Sequence, residues 1–495
     1  MSFPTPVARF FVANPFAWTS VWNDVRHELP PARIRVLDNA VILPIRNGNR
    51  MEAFSVDFEG GVQDKDGRFV AGLVPKVRMS SPMGMSCNRA YPVDATDIET
   101  RDESVVFGGV LFDHYGHLIT DSTARLWYLA GHPEDNRKVV FVKTPSMCLV
   151  PEDPMPFLQL LGLPAERIEI VERPTRFRQV VVPEQAMYAY EGFRPEWASV
   201  FDLIRSNVPP SPYRKIYFSR ARFQKGDTLN EDIFENYYRD RGFHIVYPEE
   251  CSVREEISLT AGADELVATI GTLSHQFVFA KPGAHATVLC RTDTPLKRQL
   301  MIGAARHLQC DYVEAHRNAL PTTHNNGAFF LYPTLRFNRY LRQRGFPPVG
   351  ENRYKPILGD RERVRRYVRK WFEMFVANGR TPLLAGIRRS GTTEAETDSM
   401  QSLLQTAKSD VEKQTDIVTD YVLSRLAIGD AWAGPTETAG PLRRFLSWTK
   451  GFLRRLLRPR HESGMDVLSG KFPHWRSFVV GNWDRRAKTN RRIEP

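Results

Sequence analysis

Apolar and polar positions alternate along this chain in two recognisable ways. Short apolar runs, among them Ala40-Val41-Ile42-Leu43-Pro44, Val105 to Phe112 and Lys138-Val139-Val140-Phe141-Val142, have the length and β-branched content of buried strands. Further strands are predicted at Ile168–Val171, Gln179–Val182, Lys215–Ser219, Phe243–Tyr247, Glu265–Ile270 and Ala286–Cys290. Helices are predicted at about Gly116–Ala130, Pro154–Leu161, Leu229–Arg241 and Val253–Ala261, and from about Ser274. Strand–helix alternation of this kind predicts an α/β fold whose sheet is partly parallel and covered by helices. Two helix starts carry the capping-box pattern, Thr228-x-x-Glu231 and Ser252-x-x-Glu255.

The pattern divides the chain into an irregular segment over 1–35, an α/β unit over 36–205, a second over 206–345, and a basic helical extension over 346–495. In the extension, Arg361–Lys370 is a strongly basic helix, Ser390–Asp398 a polar linker and Asp410–Leu426 an amphipathic helix. Residues 441–460 interleave Leu442, Phe445, Trp448 and Phe452 with Arg443, Arg444, Lys450 and Arg454. Such a helix suits the headgroup plane of an anionic membrane, or docking on the body of the protein by the same apolar residues.

Composition narrows this picture modestly. The 495 residues carry a net charge of +11, which favours anionic partners without choosing among phosphorylated ligands, lipid and nucleic acid. Five cysteines without a C-x-x-C pair argue against a disulfide framework or a zinc site and fit a reducing compartment. The first residues lack the pattern of a signal peptide and no run is long and apolar enough to span a bilayer, so a cytoplasmic location is expected, with the inner membrane surface as a docking site.

Three stretches carry candidate chemistry. His117, Asp121 and Arg125 are spaced four apart, so one helix would align them as a polar stripe. A histidine with a carboxylate one turn on is held in one tautomer and suits a general base; an exposed ion-pair ladder is the other reading of that spacing. Arg220 and Arg222 end an apolar, aromatic run, where open α/β sheets place their ligands, and guanidiniums there suit phosphate. The third stretch is Ile270-Gly271-Thr272-Leu273-Ser274-His275, a glycine turn from strand to helix whose backbone amides suit an anion. Motif search gives no P-loop, no metal cluster and no nucleic-acid-binding module.

Together these stretches resemble glycosyltransferase family 61 over roughly residues 100–295. His117, Asp121 and Arg125, in the segment that opens at His114, stand at the histidine, acid and arginine of the family's first pattern. Ser219-Arg220 and Asn230-Glu231 match its second, and Phe279-Ala280-Lys281-Pro282-Gly283 its last. The family's H-G-A-G-L-x-N loop is reduced here to Gly271, with Gln276 at the asparagine. The resemblance implies a GT-B architecture, two Rossmann-like domains facing across a cleft, and inverting sugar transfer without a metal or other cofactor. A nucleotide sugar, with UDP the expected nucleotide, would meet Arg220, Arg222, Asn230, Glu231, Gly271, Ser274 and His275. His117 and Asp121 would carry catalysis, and His114 and Arg125 would lie on the side of a glycan or lipid-linked acceptor. A bacterial capsule or exopolysaccharide enzyme is the implied setting. The altered loop also fits a non-catalytic relative that binds nucleotide sugar or polysaccharide, and the charge a nucleic-acid-binding protein.

Overall fold

The structure, a computed structural model, describes residues 4–51, 55–71, 84–143, 153–188, 192–223, 227–320, 328–350, 354–376 and 411–432. The chain divides into a compact unit, Met1–Gly429, and a second, Asp430–Pro495. Both sheets lie in the first.

The amino-terminal strands are β1 (Val7–Phe11), β2 (Ile34–Met51), β3 (Ser55–Gln63), β4 (Phe69–Ala71), β5 (Gly84–Arg89), β6 (Glu99–Leu111), β7 (Val139–Lys143), β8 (Ile168–Ile170) and β9 (Thr175–Pro183). Helices α1 (Pro15–Val25), α2 (Tyr115–Thr120), α3 (Trp127–Gly131) and α4 (Met155–Leu160) accompany them. Eight of these strands form a mixed sheet in the order β4-β3-β2-β9-β6-β7-β8, with β5 also on β3. Its β9-β6-β7-β8 half is parallel, and β2 joins β9 antiparallel.

A short pair, β10 (Met187–Tyr188) and β11 (Gly192–Phe193), and helix α5 (Glu196–Ser206) lead to the second sheet. There the chain runs β12 (Lys215–Phe218), β13 (Thr228–Leu229), α6 (Glu231–Arg239), β14 (His244–Val246), α7 (Val253–Gly262), β15 (Glu265–Thr269), α8 (Thr272–His275), β16 (His285–Cys290), α9 (Lys297–Ala305), β17 (Gln309–Glu314) and β18 (Phe329–Phe330). The six-stranded sheet is β1-β17-β16-β15-β12-β14, parallel throughout. Strands alternate their side chains between faces, and the core follows that period. Ile216, Phe218, Leu266, Ala268 and Val288 join one cluster, and Tyr217, Val267, Leu289 and Val313 another. The first cluster also takes Val106, Val139, Phe141 and Val181 from the eight-stranded sheet. One layer of helices is thus packed between both sheets.

Three expectations change. Residues 1–35 are not irregular: Val7–Phe11 pairs with β17, and Trp18 of α1 is fully buried. The partner of β1 lies some 300 residues away, so no local pattern announces it. The single helix over Gly116–Ala130 is instead α2, a 3-10 turn (Ser122–Arg125) and α3. Hydroxyl side chains compete for the backbone here: Thr120 and Thr123 donate to the carbonyls four residues back, and Ser122 Oγ accepts from Phe112 N–H at 3.0 Å. Finally, Thr228 belongs to β13 and does not cap α6; Asn230, in the left-handed region (φ 66°), precedes that helix. The second box forms as expected, Ser252 and Glu255 exchanging bonds at 3.3 and 2.7 Å.

The described helices after β18 pack on the body up to Leu426. Helices α10 (Leu335–Gln343), α11 (Lys355–Gly359), α12 (Arg361–Val376) and α13 (Val411–Trp432) follow β18. Tyr367, Trp371, Phe372, Val418 and Val422 bury against Phe330 and Tyr332, while Arg365 and Arg369 pair with Glu412 of α13. The linker at 390–398 and the basic stretch at 441–460 lie outside the described residues.

Trp197 of α5 is fully buried and its Nε1 donates to Thr123 Oγ1 at 3.0 Å. Trp197→Ala is expected to lower stability by about 3–5 kcal/mol in chemical denaturation, as large aromatic truncations in packed cores do.

Candidate functional site

In the six-stranded sheet the chain leaves β12 for β14 on one side and returns to β15 on the other. Connections that diverge in this way open a crevice beyond the carboxyl ends of the two strands. The segments that emerge there are Ser219-Arg220 from β12 and Ile270-Gly271-Thr272 from β15. Two polar clusters flank them.

The first cluster is cationic. Arg220 Nη2 lies 3.8 Å from Asp227 Oδ1, and Arg291 Nη1 lies 3.7 Å from the same oxygen. Arg291 donates to Thr228 Oγ1 and to the Ile270 carbonyl, both at 3.1 Å, and its guanidinium lies 4.3 Å from the Phe329 ring centre. Burial and the Arg220 charge push the Arg291 pKa down to about 10. Arg220 Nε is buried without a hydrogen-bond partner. The nearest second acid, Glu231, accepts from Tyr217 OH at 3.2 Å and is pushed up to about 7, chiefly by burial. Two guanidiniums therefore share the Asp227 carboxylate at long range, while burial disfavours the charge of Glu231, a deficit that an anionic ligand would fill.

The turn between the clusters depends on Gly271. Its backbone (φ 134°, ψ −158°) lies where essentially only glycine is stable, and a Cβ there would sit 3.0 Å from Arg291 Nη2. Ser274 Oγ accepts from Gly271 N–H at 3.2 Å and donates to Gln299 Oε1 at 2.7 Å.

Across the turn lies the second cluster, built by α2, α8 and α9. Helices α2 and α8 approach closely because Gly116 has no side chain: a Cβ there would meet Thr272 Oγ1 at 2.9 Å. His117 Nδ1 bonds Asp121 Oδ2 at 2.6 Å, and Arg298 Nη2 reaches both Asp121 oxygens at 3.2 Å. The Asp121 side chain has no exposed surface. Burial alone would raise its pKa, but the Arg298 charge and the His117 bond outweigh that and hold it well below the carboxylate range. A carboxylate at Nδ1 favours the Nδ1–H tautomer of His117 and leaves Nε2 as the nitrogen turned away from it. The His114 and His117 rings stand 5.2 Å apart, edge to face. Burial pushes His114 down to about 4 and His275 down to about 3, so both are neutral near pH 7. Among the described residues no group of three or more His, Cys, Asp or Glu is placed to hold a metal ion.

The candidate residues thus fall into three sets. Arg220 and Glu231 meet in the cationic cluster; His114, His117, Asp121 and His275 meet in the other; Gly271 and Ser274 build the turn between them. Asn230, Arg222 and Arg125 lie apart. Asn230 Nδ2 donates to the Leu331 carbonyl, and its Oδ1 accepts from Arg363 Nη1 of α12 at 3.1 Å. Arg222 is half exposed, 3.8 Å over the Tyr247 ring and paired with Glu250. The turn at Arg220–Phe223 separates it from Arg220. Arg125 is buried against Phe107 and donates to the Pro183 carbonyl, because the 3-10 turn rotates it off the His117–Asp121 face. Sequence reasoning missed Arg291 and Arg298. Arg291 carried the signal that singled out Arg220, an arginine at the end of a buried strand; Arg298 carried none.

Residues 115–290 match the family model described as Glycosyltransferase 61, which supports membership of that family and a glycosyltransferase activity. The span holds His117, Asp121, Arg220, Asp227, Glu231, Gly271 and His275, and stops short of Arg291 and Arg298. No curated protein matches the chain.

Because folding raises the Glu231 pKa from 4.5 to about 7, the folded chain keeps a proton that the unfolded chain releases between those values. The Glu231 contribution to stability should therefore fall as pH rises from about 4.5 to about 7, by at most about 1.4 kcal/mol per pH unit, while the buried neutral His114 and His275 contribute in the opposite sense below about 6.5, so the Glu231 slope is read as the difference between wild type and variant. Glu231→Gln should remove that slope in denaturant titrations across the window.

Proposed function

We propose that the chain transfers a sugar from a nucleotide-sugar donor to an acceptor hydroxyl with inversion at the anomeric carbon. The observation that carries this reading is the pairing of a cationic cluster and an oriented histidine on opposite sides of the Gly271 turn. Arg220 and Arg291 receive the diphosphate, with the amides of the turn. His117, oriented by Asp121, faces the acceptor. In the transfer, Nε2 of His117 takes the acceptor proton as the acceptor oxygen forms its bond to the anomeric carbon. The bond from that carbon to the phosphate oxygen breaks, and the nucleoside diphosphate leaves with the electron pair, its charge held by the arginines.

The arrangement we propose is GT-B-like, with the nucleotide on the six-stranded sheet and the acceptor on the side of the eight-stranded sheet. The proposed chemistry is metal-independent transfer of a hexosyl or pentosyl group, from a UDP-sugar in the first instance, to a glycan or lipid-linked acceptor of capsule or exopolysaccharide assembly in the cytoplasm. Residues 441–460 would then meet the anionic membrane surface that carries such an acceptor. Among the described residues no helix is long and apolar enough to cross a membrane.

Thermal shift and donor hydrolysis against UDP-, GDP-, CMP- and dTDP-sugars test the reading. One nucleotide should stabilise the wild type, and Arg220→Ala or Arg291→Ala should abolish that shift. His117→Ala should keep the shift and lose at least about 100-fold in turnover. Binding without turnover in the wild type would indicate a non-catalytic nucleotide-sugar-binding relative.

Arg298 hydrogen-bonds Asp121, and its charge also reaches His275 and His114, so we assign it as a positioning residue for the histidine cluster. Arg298→Met should lower kcat with little change in the donor's KM, and should move the acid limb of the pH profile upward as Asp121 loses its counter-charge.

A further inference from the structure

In the proposed reaction the anomeric carbon must lie between the leaving phosphate and the attacking oxygen, so the transferred sugar occupies the space between the two clusters. Two histidines that the transfer step does not use lie beside His117 in the second cluster. His275 is 6% exposed, and both of its ring nitrogens are buried without a hydrogen-bond partner. His114 Nδ1 is in the same state. Buried polar atoms in native proteins are nearly always paired, so three unpaired imidazole nitrogens close together call for a ligand.

Their placement is fixed by the close approach of α2 and α8. The position of an added Gly116 Cβ lies 3.2 Å from His114 Cε1 and 2.9 Å from Thr272 Oγ1, so the His114 ring sits beside the first residue of α8. Thr272 and His275 are three apart on that helix and share a face. The His114 ring stands 5.2 Å from that of His117, and His275 senses the charges of Arg298, His117, His114 and Asp121. Ser274 of this turn is engaged with Gly271 and Gln299, and Gln276 with Tyr115 and Glu256, while Thr269 Oγ1, Arg298 Nε and Gln299 Nε2 are, like the histidine nitrogens, buried without a partner.

We propose that His275, with His114, is the hydroxyl-binding pair for the transferred sugar and that His275 determines which sugar the site accepts. A neutral imidazole offers one N–H donor and one acceptor, a match for neighbouring hydroxyls on a pyranose or furanose ring. Burial keeps both rings neutral, which preserves that donor–acceptor pair around pH 7. A site built to hydrogen-bond a hydroxyl rejects a sugar that lacks it or presents it in the wrong configuration, because its own buried groups are then left unpaired.

The inference rests on the glycosyl-transfer reading, and the test separates the two. Calorimetric affinities are measured for UDP against UDP-glucose, UDP-galactose and UDP-xylose, and for GDP against GDP-mannose. Wild type, His275→Phe and His275→Asn are compared. The expected result is that His275→Phe binds the free nucleotide within about twofold of wild type but loses tenfold or more on the preferred conjugate, with the preference among epimers flattened. His275→Asn, which keeps a donor and an acceptor, should recover part of the loss. Equal binding of conjugate by wild type and His275→Phe would overturn the assignment, as would equal losses on free nucleotide and conjugate, which mark a role in packing. If no nucleotide binds the wild type, the glycosyl-transfer reading fails and this assignment with it.

Discussion

A carboxylate with no exposed surface must be compensated by charge and hydrogen bonds, and Asp121 is compensated from two directions. His117 reaches it from its own helix, and Arg298 from a helix that follows β16 of the other sheet. The ion pair therefore ties the helices of one sheet to those of the other beside the His117 ring. Removing Arg298 leaves a buried charge half satisfied; removing Asp121 leaves the His117 tautomer unset. Orientation of the His117 ring and one polar tie between the sheets meet at this carboxylate.

The second constraint is steric. At Gly116 and Gly271 a Cβ would crowd the Thr272 hydroxyl at 2.9 Å and the Arg291 guanidinium at 3.0 Å. Their neighbours on one side are imidazoles and on the other arginines. The turn thus separates a neutral compartment from a cationic one within a few residues of chain, a division suited to a substrate with one uncharged and one anionic end.

The parallel strands were legible because burial on both faces writes continuous apolar runs, as in Lys215–Phe218 and Glu265–Thr269. The His117–Asp121 pair was legible because a helical spacing of four survives in α2. Arg125 was not, because Thr120, Ser122 and Thr123 divert the backbone before it, and amphipathic spacing does not record that diversion. Asn230 and Glu231 read as a helix start, yet the left-handed backbone of Asn230 and the burial of Glu231 against Tyr217 come from contacts distant in sequence. Arg298 acts only across the interface between sheets, which no local pattern encodes.

The first strand of the chain lies beside the last strand of the parallel sheet, Val7 opposite Gln309. During synthesis Phe10 and Trp18 wait for Tyr312, their eventual aromatic neighbour, until some 300 further residues have left the ribosome. At ordinary elongation rates of about 5–20 residues per second, that wait lasts tens of seconds. This strand is thus made well before its partner and is among the last to settle in this sheet, and a nascent chain that ends before residue 309 lacks the strand it pairs with.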